Sequence, residues 1–390
     1  MELRNQQRLF LSVFFFISGF TFASWASRIP TIKTHFDFNE AEMGTVLLAM
    51  PISSLIGLPV SGWLVSRFDS RIPLSVAFAF NSLALASIGF AESTPVLIAS
   101  ICAFAFTMRI FSISANTQSI ALQKNFSKKI LGSFHGLWST GGIAGVGFCT
   151  LMVATEVPME IHLTLVASLA LIITLVSYRY LLQQDRSSQG NRLILGKPDP
   201  YILYLGILIF FAAVCEGGMF DWSGIFFREV LNVRIFTYGY LIFMVCMALS
   251  RFFSDRIIDR YGMATTYLLS SILIIAGISL SVIFSTFRTS LVGFSLTGFG
   301  TAAIVPMTYA LAGGSKKYSP GMAISIIATY ATLGMLAGPP LIGYLAHAFG
   351  LRYSFIAFAL CGLIFIPVSR QFFAFQKGQE EQKTASTELV

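Results

Sequence analysis

The sequence predicts an all-α membrane protein whose twelve transmembrane helices form two pseudo-symmetric six-helix bundles. Three observations carry that prediction: little charge, apolar runs about 20 residues long, and features that recur half a chain apart. Of the 390 residues, 55% are hydrophobic and 11% charged, and the mean hydropathy is +0.75. A soluble domain carries roughly 25% charged residues, so lipid is the main solvent here. Lipid offers a bare backbone no hydrogen-bond partner, so each run must be a helix or part of a closed barrel. The runs lack two-residue alternation, which excludes the barrel.

In chain order, helices are expected at roughly 9–28, 42–66, 72–91, 95–120, 134–155 and 161–182, then at roughly 201–225, 236–257, 264–284, 289–312, 321–345 and 352–372. Residues 1–182 make the first bundle and 201–376 the second. The polar stretch 183–200, with Ser187, Ser188, Gln189, Gly190 and Asn191, is the linker, and 377–390 reads as a disordered tail. Arg4 and Arg8 ahead of an apolar stretch resemble a signal peptide, but eleven further spans favour a retained first helix. Cys102, Cys149, Cys215, Cys246 and Cys361 all fall inside apolar runs without paired spacing, so they read as packing residues, and no metal or cofactor is expected.

The net charge of +8 is scattered between apolar runs and forms no stripe, so nucleic acid is not an expected partner. Sorting the 26 Lys and Arg by alternate loops puts 19 on the side of the N-terminus and 6 on the other, with Arg109 inside helix 4. That excess predicts both termini in the cytoplasm.

The halves repeat one another. Ser24-Trp25-Ala26-Ser27 in helix 1 faces Asp221-Trp222-Ser223-Gly224 in helix 7. Gly62 to Asp69 after helix 2 matches Asp255 to Gly262 after helix 8, and His135 to Gly142 in helix 5 matches Ile327 to Gly334 in helix 11 at offset 192. Parallel halves around an axis along the membrane normal are a transporter architecture with its binding site at the midplane.

These loops resemble the G-x-x-x-D-R-x-G-R-R gate motif of the major facilitator superfamily. Gly62, Arg67 and Arg71 match in the first copy; Asp259, Arg260 and Gly262 match in the second, and Asp255 takes the place of its opening Gly. Ser66 and Asp69 replace the Asp and second Gly of the first copy, so no symmetric charge relay is expected. Ala23 to Pro30 and Glu216 to Ser223 are similar to the MosC and YbjJ branch of that superfamily, and the resemblance covers essentially the whole chain. It implies the major facilitator fold and a multi-pass carrier of small solutes in the bacterial inner (plasma) membrane, acting as a monomer on a rhizopine or other polyol-like substrate.

Few polar residues lie deep enough to act on a solute. Arg109 sits near the middle of helix 4, where facing lipid would cost roughly 2.5–3.5 kcal/mol, so it should face a cavity or a buried carboxylate. Glu216 and Asp221 are expected to be roughly 7.5 Å apart along helix 7 and to point about 140° apart. A carboxyl whose surroundings change in polarity can take up and release a proton, and Glu216, the deeper of the two, is the expected coupling residue. A helix-to-helix hydrogen bond is its structural alternative. His135, with an ordinary imidazole pKa of about 6.5, would suit a proton shuttle or a structural role near the start of helix 5. Trp25, Trp138, Trp222 and Tyr330 offer flat surfaces to a ring, or anchors at the membrane interface. Asn116, Gln118, Thr301 and Thr308 could bind solute hydroxyls, with interhelical bonding as the alternative, and Arg28 is a further candidate for the solute, with pairing to Asp221 as its alternative.

The expected function is secondary transport of a small polar solute (sugar, polyol or amine-like), proton-coupled and by alternating access. Efflux of amphipathic compounds, to which 38 Phe and 13 Met are suited, uses the same fold. A membrane receptor lacks a sizeable soluble domain here. An embedded enzyme lacks a His-Asp or metal-ligand constellation in its loops, so the chain is not read as an enzyme.

Overall fold

A computed structural model describes residues 3–126, 130–183, 185, 199–318 and 320–388, with the backbone alone for 252, 254, 255, 320, 321 and 379–388. Among the described residues, eleven helices are long and apolar enough to cross a membrane. They are α1 (Leu3–His35), α2 (Glu40–Arg67), α3 (Arg71–Gly89), α4 (Thr94–Gln123), α5 (Leu131–Ala154), α6 (Met159–Tyr180), α7 (Pro200–Val230), α9 (Arg256–Ile283), α10 (Phe287–Gly313), α11 (Met322–Phe349) and α12 (Leu351–Gly378). A shorter apolar helix, α8 (Tyr238–Arg251), takes the remaining place in the expected order. The last helix runs on to Glu388, through residues that read as a tail. The expected linker lies outside the described residues at 184 and 186–198.

Local chemistry sets several boundaries. Asn39 caps α2 through the Glu42 amide while the Glu42 carboxylate accepts from the Asn39 amide, and Thr286 and Thr289 make the same reciprocal arrangement at the start of α10. Near the start of α9 the helix is kinked at Gly262, whose φ of 78° and ψ of 162° belong to glycine. The matching position of the first copy, Asp69, has no positive φ. That difference explains why the motif's glycine is needed in one copy and replaceable in the other.

The chain divides into two units. Unit 1 is Met1–Arg192 with Val233–Leu241, and unit 2 is Leu193–Asn232 with Ile242–Val390. The start of α8 thus groups with the first unit, where Thr237 shares a 2.8 Å hydroxyl bond with Thr150 and Arg234 pairs with Glu156. The core of unit 1 is aromatic: Phe14, Phe78, Phe111 and Phe134 are buried with Leu11, Leu74 and Ile110. Unit 2 has its own cluster of Phe226, Phe227, Phe294 and Phe355, with the Phe226 and Phe355 ring centroids 4.6 Å apart.

One close helix pair recurs in both units, α1 with α5 and α7 with α11. A Cβ placed on Gly141 of α5 would lie 1.9 Å from the Phe16 carbonyl oxygen of α1. One on Gly334 of α11 would lie 2.3 Å from the Phe210 carbonyl oxygen of α7. The glycines are 193 residues apart and the phenylalanines 194, so the same seam occurs twice. It also shifts the expected helix 5 to helix 11 pairing by one residue: Gly141, and not Gly142, corresponds to Gly334. Small residues let backbones meet where lipid supplies no hydrophobic force between helices.

Candidate transport site

Polar side chains inside the spans are the candidates, because charge survives in a membrane only where it is paired or reached by water. In unit 1 the main one is Arg109, midway along α4. Gly57 of α2 makes room for it, since a Cβ there would meet the Arg109 Cβ and the Phe106 carbonyl oxygen at 3.2 Å. With its stem laid against α2, Arg109 donates from Nε to the Ser54 Oγ at 2.7 Å. The side chain is half-buried, and among the described residues no carboxylate stands within ion-pair distance of it.

In unit 2, Glu216 of α7 accepts from the Nη2 of Arg251 at 3.4 Å, with their side chains 15% and 35% exposed. The same Nη2 lies 3.7 Å from the Met247 Sδ. Arg251 is the residue that sequence reasoning missed. It had been counted with the loop charges, although it lies within the expected helix 8 and could have been noticed there. Asp221 is half-buried, one and a half turns beyond Glu216.

The other expected site residues separate into open and enclosed ones. Trp138 is half-buried with its ring 6.0 Å from that of Phe22, and Tyr330 is half-buried, lying on Gly206. His135 is exposed and touches the Phe15 ring edge-on at 5.7 Å. Asn116 is half-buried and donates to the Ser112 carbonyl of its own helix. By contrast, Trp25 is fully enclosed and donates its Nε1 to the Met50 Sδ. Arg28 is buried too, its Nε donating to the His162 Nδ1 at 3.1 Å and its Nη2 to the Val157 carbonyl at 2.9 Å. Trp222 is fully buried, with its Nε1 unpartnered among the described residues. Thr301 bonds back to the Thr297 and Gly298 carbonyls. Gln118 is buried and donates to the Ser70 Oγ at 3.0 Å and the Leu182 carbonyl at 3.3 Å. All five are buried; Trp25, Arg28, Gln118 and Thr301 direct their donors to neighbouring protein groups, and among the described residues Trp222 does not.

In the first copy the Gln118 cluster borders the gate motif through Ser70, which precedes Arg71. Asp185 accepts from the Ser70 amide at 2.8 Å and from the Ser70 hydroxyl. It thereby caps α3, whose own N-cap residue, Ser70, supplies no side-chain cap. Next to it, Arg71 lies over the Tyr178 ring at 5.2 Å, while Arg67 lies over Trp63 at 5.9 Å and Gly62 is buried. In the second copy Asp259 and Arg260 are exposed, with Arg260 over Tyr261 at 5.4 Å, and the Asp255 side chain is outside the described residues.

Apolar helices in two units, with charged side chains held among them, define a polytopic membrane protein. The sequence profile of the Major Facilitator Superfamily matches residues 9–287 and 240–388, and the chain belongs to that superfamily. It is 30% identical over 371 residues to the membrane protein MosC of Rhizobium meliloti, covering 94% of this chain and 90% of MosC, which places it in the MosC-like branch. An uncharacterised MFS-type transporter of Yersinia pestis is 28% identical over 348 residues, 89% of this chain and 90% of that one. Among solved structures, a mutant of the nucleoside transporter NupG superposes with a TM-score of 0.78 at 14% identity, over 95% of this chain and 100% of that one. A bacterial homologue of the human lysosomal transporter Spinster gives 0.76 at 15% identity, over 96% and 98%. At such identities the likeness is one of fold.

Proposed function

We propose that this transporter is a proton-coupled secondary carrier that moves a small polar solute (sugar, polyol or amine-like) by alternating access. It acts as a monomer in the bacterial inner membrane, with both termini in the cytoplasm. The observation that supports this reading is the Glu216–Arg251 pair inside the spans of unit 2. A carboxylate held by one arginine has two states of similar local charge balance: ionised and paired, or protonated with the arginine released to another partner. Moving between them takes up or gives off one proton, which is the coupling step. Arg109, Trp138 and Asn116, with Ser54 orienting Arg109, form the proposed solute set of unit 1, and Tyr330 is a proposed solute contact of unit 2 by itself. The exposed His135 and the half-buried Asp221 are proposed accessory proton sites. The turns carrying Gly62, Arg67 and Arg71, and Asp255, Asp259, Arg260 and Gly262, are the proposed gates.

Proteoliposomes test the coupling. Glu216→Gln should keep solute counterflow and lose accumulation driven by a pH step, because an amide neither binds nor releases the proton. Undiminished uphill accumulation by Glu216→Gln would remove Glu216 from the coupling role.

A further inference from the structure

Arg109 and Arg251, each on an apolar helix, are treated differently by the chain. Arg251 has a carboxylate of its own unit 3.4 Å away, and Arg109 has a neutral hydroxyl. Ser54 satisfies one of the five N–H donors of Arg109 and none of its charge. The stem is held against α2 at Gly57, so the guanidinium is oriented in advance instead of sweeping through its rotamers. An oriented, half-buried fork with spare donors, in a segment where charge must be balanced, suits a partner that arrives and leaves.

We propose that the transported solute carries a carboxylate, bound in bidentate fashion by the guanidinium of Arg109. This rests on the carrier reading above and narrows it to acidic members of the solute class, such as sugar acids. Guanidinium and carboxylate are both planar and match through two parallel N–H···O bonds, a geometry that neither a hydroxyl nor an amine can return. A single arginine balances one negative charge, which favours a carboxylate over a phosphate monoester with nearly two. The solute's polyhydroxy body is then left to Trp138 and Asn116.

The experiment uses matched probes on the purified full chain: D-glucuronate against D-glucose, and D-gluconate against D-sorbitol, each read by thermal shift and then by counterflow in liposomes. The expected result is a saturable stabilisation of the wild type by a carboxylate probe, absent with its neutral partner and abolished in Arg109→Gln. Arg109→Lys, which keeps the charge but loses the fork, should bind the same probe about tenfold more weakly. Should Arg109→Gln fail to fold, that variant alone decides, and lysine binding as tightly as arginine overturns the bidentate assignment. The proposal is also overturned if neither carboxylate stabilises the wild type, if a neutral partner does so equally, or if Arg109→Gln retains the effect. Failure of the carrier reading looks different: Arg109-dependent binding of a carboxylate with no counterflow leaves the anion site standing and removes transport. Counterflow of a neutral sugar that Arg109→Gln does not alter does the reverse.

Discussion

Substituting Gly141 with alanine isolates the helix seam from every other property of the chain. The added Cβ would stand 1.9 Å from the Phe16 carbonyl oxygen and 2.7 Å from its carbon, and both are backbone atoms. Unstrained contacts need about 3.5–4.0 Å, so α1 and α5 must separate by more than about 1.5 Å. Overpacking of that kind costs about 1–3 kcal/mol, whereas alanine in place of glycine favours a helix by about 0.5–1 kcal/mol. The clash is with backbone that cannot turn away, so the overpacking cost lies in the upper part of its range, about 2–3 kcal/mol, and a helix gain of about 1 kcal/mol leaves a net loss of about 1–2 kcal/mol. For a unit of this size that lowers the melting temperature by about 2–8 °C. Gly147→Ala is the control on the same helix, since its Cβ would meet nothing within 4 Å. Thermal melts in detergent, read by intrinsic tryptophan fluorescence, should show Gly141→Ala falling and Gly147→Ala level or slightly raised. If Gly141→Ala melts at or above the wild type, or if the two variants fall together, the seam is not as close as described.

Three other outcomes follow from the geometry. Asp185→Ala uncaps α3 and should cost about 0.5–2 kcal/mol, seen as faster amide hydrogen exchange at 70–73 without change at the far end of the helix. Gly262→Ala forces a side chain into a positive-φ, extended-ψ conformation that is essentially restricted to glycine, and should lower the melt by about 1–3 kcal/mol. Arg28→Met leaves the Val157 carbonyl and His162 Nδ1 without their donor, and a melt should show a loss of about 1–3 kcal/mol.

The spans were legible because hydropathy over about 20 residues depends only on local composition. What a one-dimensional reading cannot give is azimuth. Trp25 and Trp222 look like ring platforms on paired helices, yet both indoles turn into their own units and are fully buried. Arg251 was concealed by its position near a helix end, where an arginine ordinarily serves as a topology charge. Its meaning came from Glu216, 35 residues earlier. The Ser70–Asp185 bond joins residues 115 positions apart and leaves no periodic trace. Register fared better than orientation: the repeat in helices 5 and 11 was placed to within one residue, because glycine at a backbone crossing is a requirement of shape that duplication preserves.

The Phe16–Gly141 seam also bears on how motion in this protein can be measured. Two helices whose backbones interlock at that distance cannot slide past one another without first coming apart, so α1 and α5 behave as one strut. Spin labels or fluorophores placed across that strut should report a constant separation through the whole transport cycle. They would serve as an internal ruler against which any changing distance is judged.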